Sequence, residues 1–236
     1  MSRGPSAASS VLTGASGAYP AVSSFSACGW CQWATNNTNS FQNVIALEDG
    51  GSNAGNGAAL YFKSAGTLAI STFFTTEITF GRAPPAGSSF YWAFVGSSAQ
   101  LQAWWTPVGY RHWQNYIQAP TASFTVASLK LGSNSYGDWA NTRHSNVKIY
   151  SAVLTGAELL TEVLSPLPVR QAGLNRWSPF TANDNDYAGN GRNWTPSGTV
   201  TTYLDPTFDT GPGKGSFRVG ATAGLAAGAQ FLPFFR

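Results

Sequence analysis

With 236 residues, 43% of them hydrophobic and only 10% charged, the chain can bury the core of a single large β domain, and its solubility must rest on Ser, Thr, Asn and Gln rather than on charge. The 13 basic and 10 acidic residues leave a formal charge of +3, too small and scattered for a phosphate-binding footprint, so nucleic acid is not an expected partner. No stretch reaches membrane-spanning length, which also removes membrane insertion from the expectations.

Residues 1–20, MSRGPSAASSVLTGASGAYP, are rich in Ser, Ala and Gly and offer little to bury, so they read as a flexible leader with ordered structure starting near Ala21. They lack the continuous apolar segment of a secretory signal, and synthesis and folding in a cytoplasm are expected. In SSFSACGWCQWA, period-two alternation puts Phe25, Ala27, Gly29, Cys31 and Trp33 on one face and Ser26, Cys28 and Trp30 on the other. Both faces are partly apolar, and Trp30 or Trp33 is expected in the core. Cys28 and Cys31 have redox or zinc spacing, but neither a βαβ pattern nor a second ligand pair accompanies them. Three residues apart on a strand they face opposite ways, so the expectation is two buried or half-buried free thiols.

After the polar TNNTNS comes a strand in QNVIALEDG, then the turn-rich EDGGSNAGNG, then AALYF. Glu48, Asp49, Asn53 and Asn56 carry oxygens of the kind Ca²⁺ takes, yet the same residue types suit the φ > 0 positions of a hairpin, and the turn is the preferred reading. Strands continue through GTLAIST, FTTEITFG and SSFYWAFVG, punctuated by Gly81 to Pro85.

The richest aromatic run follows, AQLQAWWTPVGYRHWQNYIQAP. Thr106-Pro107-Val108-Gly109 suits a β-turn, which makes this a hairpin with Leu101, Ala103 and Trp105 on one face and Gln100, Gln102 and Trp104 on the other. One of Trp104 and Trp105 must then point away from the core. Exposed rings are what sugars and proteins stack on, so Trp104, Trp105, Tyr110 and Trp113 form the candidate carbohydrate platform. The competing reading is that a second layer, a short helix or a neighbouring subunit covers the outward ring.

SFTVASLKLGS adds a strand before the best-defined stretch, Trp139 to Pro166. There Val147 and Ile149 alternate with Asn146, Lys148 and Tyr150, giving one face to a core and the other to water. Thr155 and Glu158 have capping-box spacing, Leu159, Leu160, Val163 and Leu164 supply an apolar helix face, and Ser165-Pro166 ends the pattern. A helix this short must dock on something larger. LNRWSPF is a further strand, and TANDNDYAGNGRNWTPSGTVTT holds the second loop with Ca²⁺-type oxygens, Asp184 and Asp186, where the turn is again preferred. Asn36 and Asn193 lie in glycosylation sequons that carry little weight without a secretory signal. The segment 205–236 thins to Gly and Ala and ends in Phe231, Leu232, Phe234 and Phe235, candidate assembly contacts because exposed Phe clusters invite association.

The spacing of Val147, Ile149, Tyr150, Leu154, Thr155, Glu158 and Leu159 resembles the V-x-I-Y-x-x-x-L-[ST]-x-x-E-[IL] pattern of the laminin G-like, concanavalin A-like lectin-glucanase superfamily. The strand at Phe25 resembles that family's early F-T-I-S-x-W strand, and the aromatic hairpin stands where its L-Y-V-D-G hairpin falls, here without the Asp. The resemblance implies an all-β, concanavalin A-like antiparallel β-sandwich (jelly roll) with one short helix near 156–164, spanning 21–204 between arms at 1–20 and 205–236. That fold also houses glycoside hydrolases, which need two carboxylates across the scissile bond. Glu48, Glu77, Glu158 and Glu162 form no such strand pattern, and neither His112 nor His144 adjoins a nucleophile motif, so no enzyme is expected. No cofactor is expected either, Ca²⁺ at Asp49, Asp184 or Asp186 being the alternative. The functional expectation is a bacteriophage virion part (capsid decoration, head-fibre or tail-associated) that contacts copies of itself and other virion proteins and also adheres to glycans. A free lectin-like module is the alternative, with a glycoside hydrolase behind both.

Overall fold

A computed structural model describes residues 2–5, 11–14, 24–35, 41–48, 57–63, 67–72, 76–79, 84–97, 100–107, 114–118, 128–133, 139–180 and 183–203. In chain order the strands are β1 (Ser2–Pro5), β2 (Val11–Gly14), β3 (Ser24–Thr35), β4 (Gln42–Glu48), β5 (Gly57–Phe62), β6 (Leu68–Thr72), β7 (Thr76–Thr79) and β8 (Ser89–Ser97). There follow β9 (Leu101–Pro107), β10 (Gln114–Gln118), β11 (Ser128–Leu131), β12 (Asn141–Tyr150), helix α1 (Gly156–Leu164), β13 (Leu174–Ser178), β14 (Trp194–Ser197) and β15 (Val200–Tyr203).

These strands form two antiparallel sheets, β10-β9-β8-β3-β12-β1-β15 with β13 also on β12, and β14-β2-β11-β4-β5-β6-β7. The fold is therefore the expected all-β sandwich, with α1 as the helix among the described residues. The leader expected over residues 1–20 is corrected: β1 pairs with β12 and β15, β2 pairs with β11 and β14, and Leu12 is fully buried. Ladder bonds come from the backbone, so a Ser- and Gly-rich segment can complete a sheet with one well-placed apolar side chain. Residues 205–236 lie outside the described residues.

The alternation along β3 places its side chains as expected. Phe25, Ala27, Cys31 and Trp33 enter the core between the sheets, with Trp33 stacked on Phe62 at 4.1 Å and Phe25 edge-on to Phe94 at 5.3 Å. Cys28 belongs to a separate apolar cluster with Tyr91, Ala93, Val95, Tyr150, Leu154, Leu159 and Leu174, against which Trp30, Trp104 and Trp177 also pack. Helix α1 contributes to that cluster and so forms a third layer on the first sheet. The two thiols sit on opposite sides of that sheet, both buried and free.

The capping box at the start of α1 is complete: Glu158 N donates to Thr155 Oγ1 at 3.2 Å and Thr155 N donates to Glu158 Oε2 at 2.8 Å. The apolar face read from the leucines is corrected. Leu159 is buried and Val163 half-buried, but Leu160 is 39% and Leu164 62% exposed, and the other buried side chain of the helix is Glu162.

Candidate functional site

The burial of Glu162 has a partner in the sheet. Lys148, expected to meet water, is fully buried, because the outer face of β12 meets the helix layer instead. Its ammonium donates to Glu162 Oε2, to Ser165 O at 3.0 Å and to Leu167 O at 2.9 Å, using all three donors of the group. Glu162 Oε1 accepts from Tyr150 Oη and from Val169 N at 2.8 Å. The cluster ties α1 and the chain after it to β12. Burial, with the carboxylate beside it, pushes the Tyr150 hydroxyl well above its ordinary range, so it stays a hydrogen-bond donor.

Each of the other glutamates is also engaged. Glu48 pairs with Lys130 at 3.2 Å, and Glu77 accepts from Tyr61, from Lys63 at 2.5 Å and from Thr79 at 3.1 Å. Burial penalises the Glu77 charge, but the hydrogen bonds from Lys63, Tyr61 and Thr79 outweigh it and hold the carboxyl below its usual value. Glu158 is held low first by the Thr155 amide of the cap. His144 lies in the sheet interior with Nε2 2.9 Å from Thr142 Oγ1, and burial lowers its pKa to about 3. Burial also pushes the Cys28 thiol up to about 12 and raises that of Cys31. An ionised thiolate is thus disfavoured at both positions.

The expected aromatic platform is divided by the fold. Pairing of β9 with β10 confirms the hairpin, and Leu101 to Trp105 alternate between the two faces as read. The turn expected at Thr106-Pro107-Val108-Gly109 is corrected: Thr106 and Pro107 still pair with Tyr91 and Phe90 as part of β9, and residues 108–113 lie outside the described residues. Trp105 is 6% exposed and belongs to the core between the sheets, while Trp104 is half-buried in the helix layer. A Cβ on Gly156 would stand 3.7 Å from Trp104 Cη2, so the first turn of α1 lies against that ring. Tyr110 and Trp113 fall outside the described residues, as do Asp49 and the terminal Phe231, Leu232, Phe234 and Phe235.

An exposed ring occurs elsewhere, on the loop between β13 and β14. Asp186 organises residues 183–193: Oδ1 accepts from Trp177 N at 3.0 Å and Ala188 N at 2.8 Å, and Oδ2 accepts from Arg192 N at 3.1 Å. Its own amide donates to Asn193 Oδ1 at 2.8 Å, and Asp184 O accepts from Trp194 N at 2.8 Å. Asp186 thus shapes the turn through its carboxylate and Asp184 through its backbone carbonyl. Tyr187, 48% exposed, stands edge-on to Trp177 with ring centroids 6.1 Å apart, and Trp177 Nε1 donates to Asn146 Oδ1 at 2.9 Å. Tyr187 does not stand out in the sequence, because the Asn, Asp and Gly around it read as turn chemistry. The available signal was one aromatic residue between Asn, Asp and Gly, flanked by two strands.

The sequence matches no protein-family model and no curated protein. Solved structures share its shape. A candidate carbohydrate-binding protein of Bacteroides ovatus matches with TM-score 0.62 and 12% identity over 87% of this chain and 61% of its own. The native heptameric SAP-like pentraxin of Limulus polyphemus matches with TM-score 0.55 and 12% identity, over 85% of this chain and 93% of its own. The enzymatically active domain of tailspike protein 2 of bacteriophage CBA120 matches with TM-score 0.52 and 12% identity, over 72% of this chain and 28% of its own. At such identities the likeness establishes the concanavalin A-like sandwich itself. The chain spans only about three fifths of the Bacteroides protein. Among the described residues no helix is long and apolar enough to cross a membrane.

Proposed function

We propose that this chain is a non-enzymatic carbohydrate-binding sandwich that serves as an adhesive surface part of a virion. The observation that carries the first half is a sandwich matched over 87% of its length by a candidate carbohydrate-binding protein, bearing on the loop between β13 and β14 an exposed aromatic ring set among amide side chains. Rings of this kind stack on the C–H faces of sugars, and amides bind their hydroxyls. The engagement of all four glutamates supports binding without turnover. Glu48 and Glu77 pair with lysines, Glu158 caps the helix, and Glu162 is buried against Lys148, so none stands ready as one of two opposed catalytic carboxylates.

Depletion of the full chain from solution by insoluble polysaccharides, with a parallel assay for new reducing ends, tests the reading. Binding without new ends is expected; release of reducing ends, or no retention on any polysaccharide, contradicts it. The virion half is favoured by the tailspike domain, which shares this sandwich over 72% of the chain. Copies of the chain, contacting one another and other particle proteins, are expected on purified virions. Electron microscopy that finds the protein only as a free monomer speaks for a lectin-like module instead.

A further inference from the structure

We propose that the loop of residues 183–193 is itself the sugar site, with the open face of Tyr187 stacking on an uncharged pyranose and neighbouring asparagine amides binding its hydroxyls. The inference rests on the carbohydrate-binding reading above and gives it a place and a ligand class. Tyr187 is the exposed aromatic side chain of the loop, and Trp177 meets it edge to face. Its position is fixed on both sides. Tyr187 N donates to Trp177 O at 2.7 Å, and the preceding Asp186 carboxylate takes three backbone amides.

A ring held this way loses little freedom on binding, and Tyr has few rotors to lose, so contact made there is not offset by ordering. Around it stand polar groups of the right kind. Asn183 Oδ1 accepts from Asn185 N at 3.0 Å and lies 3.4 Å from Tyr187 Oη, which holds that amide next to the ring. Asn185 and Asn193 are exposed. In the same loop Gly189 and Gly191 have φ of +85° and +65°, and a Cβ on either would meet nothing within 4 Å. Glycine is needed there for the backbone, and it leaves room for a ligand to approach.

Charge narrows the ligand. Residues 183–193 hold Asp184 and Asp186 against Arg192 alone, an excess of acid that disfavours sialylated or sulfated sugars. A neutral hexopyranose with an apolar C–H face fits both the ring and this charge.

The test uses the full chain on an array of neutral hexopyranose oligosaccharides printed beside their sialylated and sulfated counterparts. Wild type, Tyr187→Phe, Tyr187→Ala and Asn185→Ala are compared, with thermal unfolding measured for each. The expected result is binding to neutral glycans, retained within threefold by Tyr187→Phe, weakened at least tenfold by Tyr187→Ala and at least threefold by Asn185→Ala. Asn185 carries an exposed side chain, so its replacement tests the site even where loss of Tyr187 disturbs the loop. If the wild type binds and neither Tyr187→Ala nor Asn185→Ala weakens it, this site is overturned while the carbohydrate-binding function stands. Preference for acidic glycans overturns the ligand class. Failure of the wild type to bind any glycan overturns both.

Discussion

Replacing Glu162 with alanine opens the helix layer without unfolding the sandwich. Glu162 and Lys148 are both fully buried, and the carboxylate also accepts from Tyr150 and the Val169 amide. The variant leaves the Lys148 ammonium in the interior with the carbonyls of Ser165 and Leu167 as its remaining hydrogen-bond partners. Breaking a buried pair by deleting one member costs roughly 3–5 kcal/mol, because the other charge stays desolvated. At about 1.4 kcal/mol per decade, the undocked helix becomes about a hundredfold to a few thousandfold more populated. The two cysteines report on separate layers. Cys28 lies with Leu159 beneath the helix, and Cys31 lies in the core between the sheets. A thiol reagent therefore labels Cys28 when the helix lifts and Cys31 only when the sandwich opens. In Cys31→Ala and Cys28→Ala backgrounds, Glu162→Ala is expected to speed Cys28 labelling by two orders of magnitude or more and Cys31 labelling far less. Replacing both partners, Lys148→Met with Glu162→Met, brings Cys28 labelling back toward wild type, since no lone charge remains. Unchanged Cys28 labelling in Glu162→Ala, or equal acceleration at both thiols, would refute the charge-tied layer.

Thr155→Ala removes one half of the capping box and is expected to cost about 1 kcal/mol, seen as a lower urea midpoint at unchanged slope. Gly96→Ala places a Cβ 2.4 Å from the Phe25 ring and 2.7 Å from Leu101, so a loss of about 1–3 kcal/mol from overpacking is expected in the same assay. His144, with its pKa lowered to about 3 by burial, takes up a proton in the unfolded chain near pH 6.5 but not in the folded one, so stability falls as pH drops through this window. Between pH 6.5 and 5 the slope is about 1.4 kcal/mol per pH unit at most, and His144→Gln is expected to flatten it; an equal slope in the variant assigns the effect to other groups. Asp186→Ala removes the acceptor of three loop amides and is expected to raise hydrogen exchange at Trp177, Ala188 and Arg192 while leaving β3 and β8 protected.

Where a physical rule acted within a few residues, the fold could be read from the chain. The Thr155 and Glu158 box marked the helix start, and alternation from Phe25 to Trp33 assigned both faces of β3. Long-range partners were not readable. A period of two says that Lys148 and Val147 face opposite ways, but it cannot say whether a helix or water covers the Lys148 side. The same gap misassigned α1: Leu160 and Leu164 looked like the docking face, yet Glu162 goes inward because its cation waits 14 residues earlier on β12. In residues 1–20 the backbone pairing of β1 and β2, not side-chain content, made strands. For the candidate site, composition drew attention to the aromatic hairpin, whose Trp105 fills the core and whose Trp104 lies against the helix. Tyr187 became visible only once the Asp186 turn had placed it at the surface.

The most direct single test is saturation-transfer NMR of the full chain with the best neutral glycan from the array, followed for a day. The proposed function predicts transfer from protein to the C–H protons of one sugar face and an unchanged sugar spectrum throughout. Absence of transfer, or new anomeric signals from a cleaved linkage, would contradict a sandwich that binds carbohydrate without cutting it.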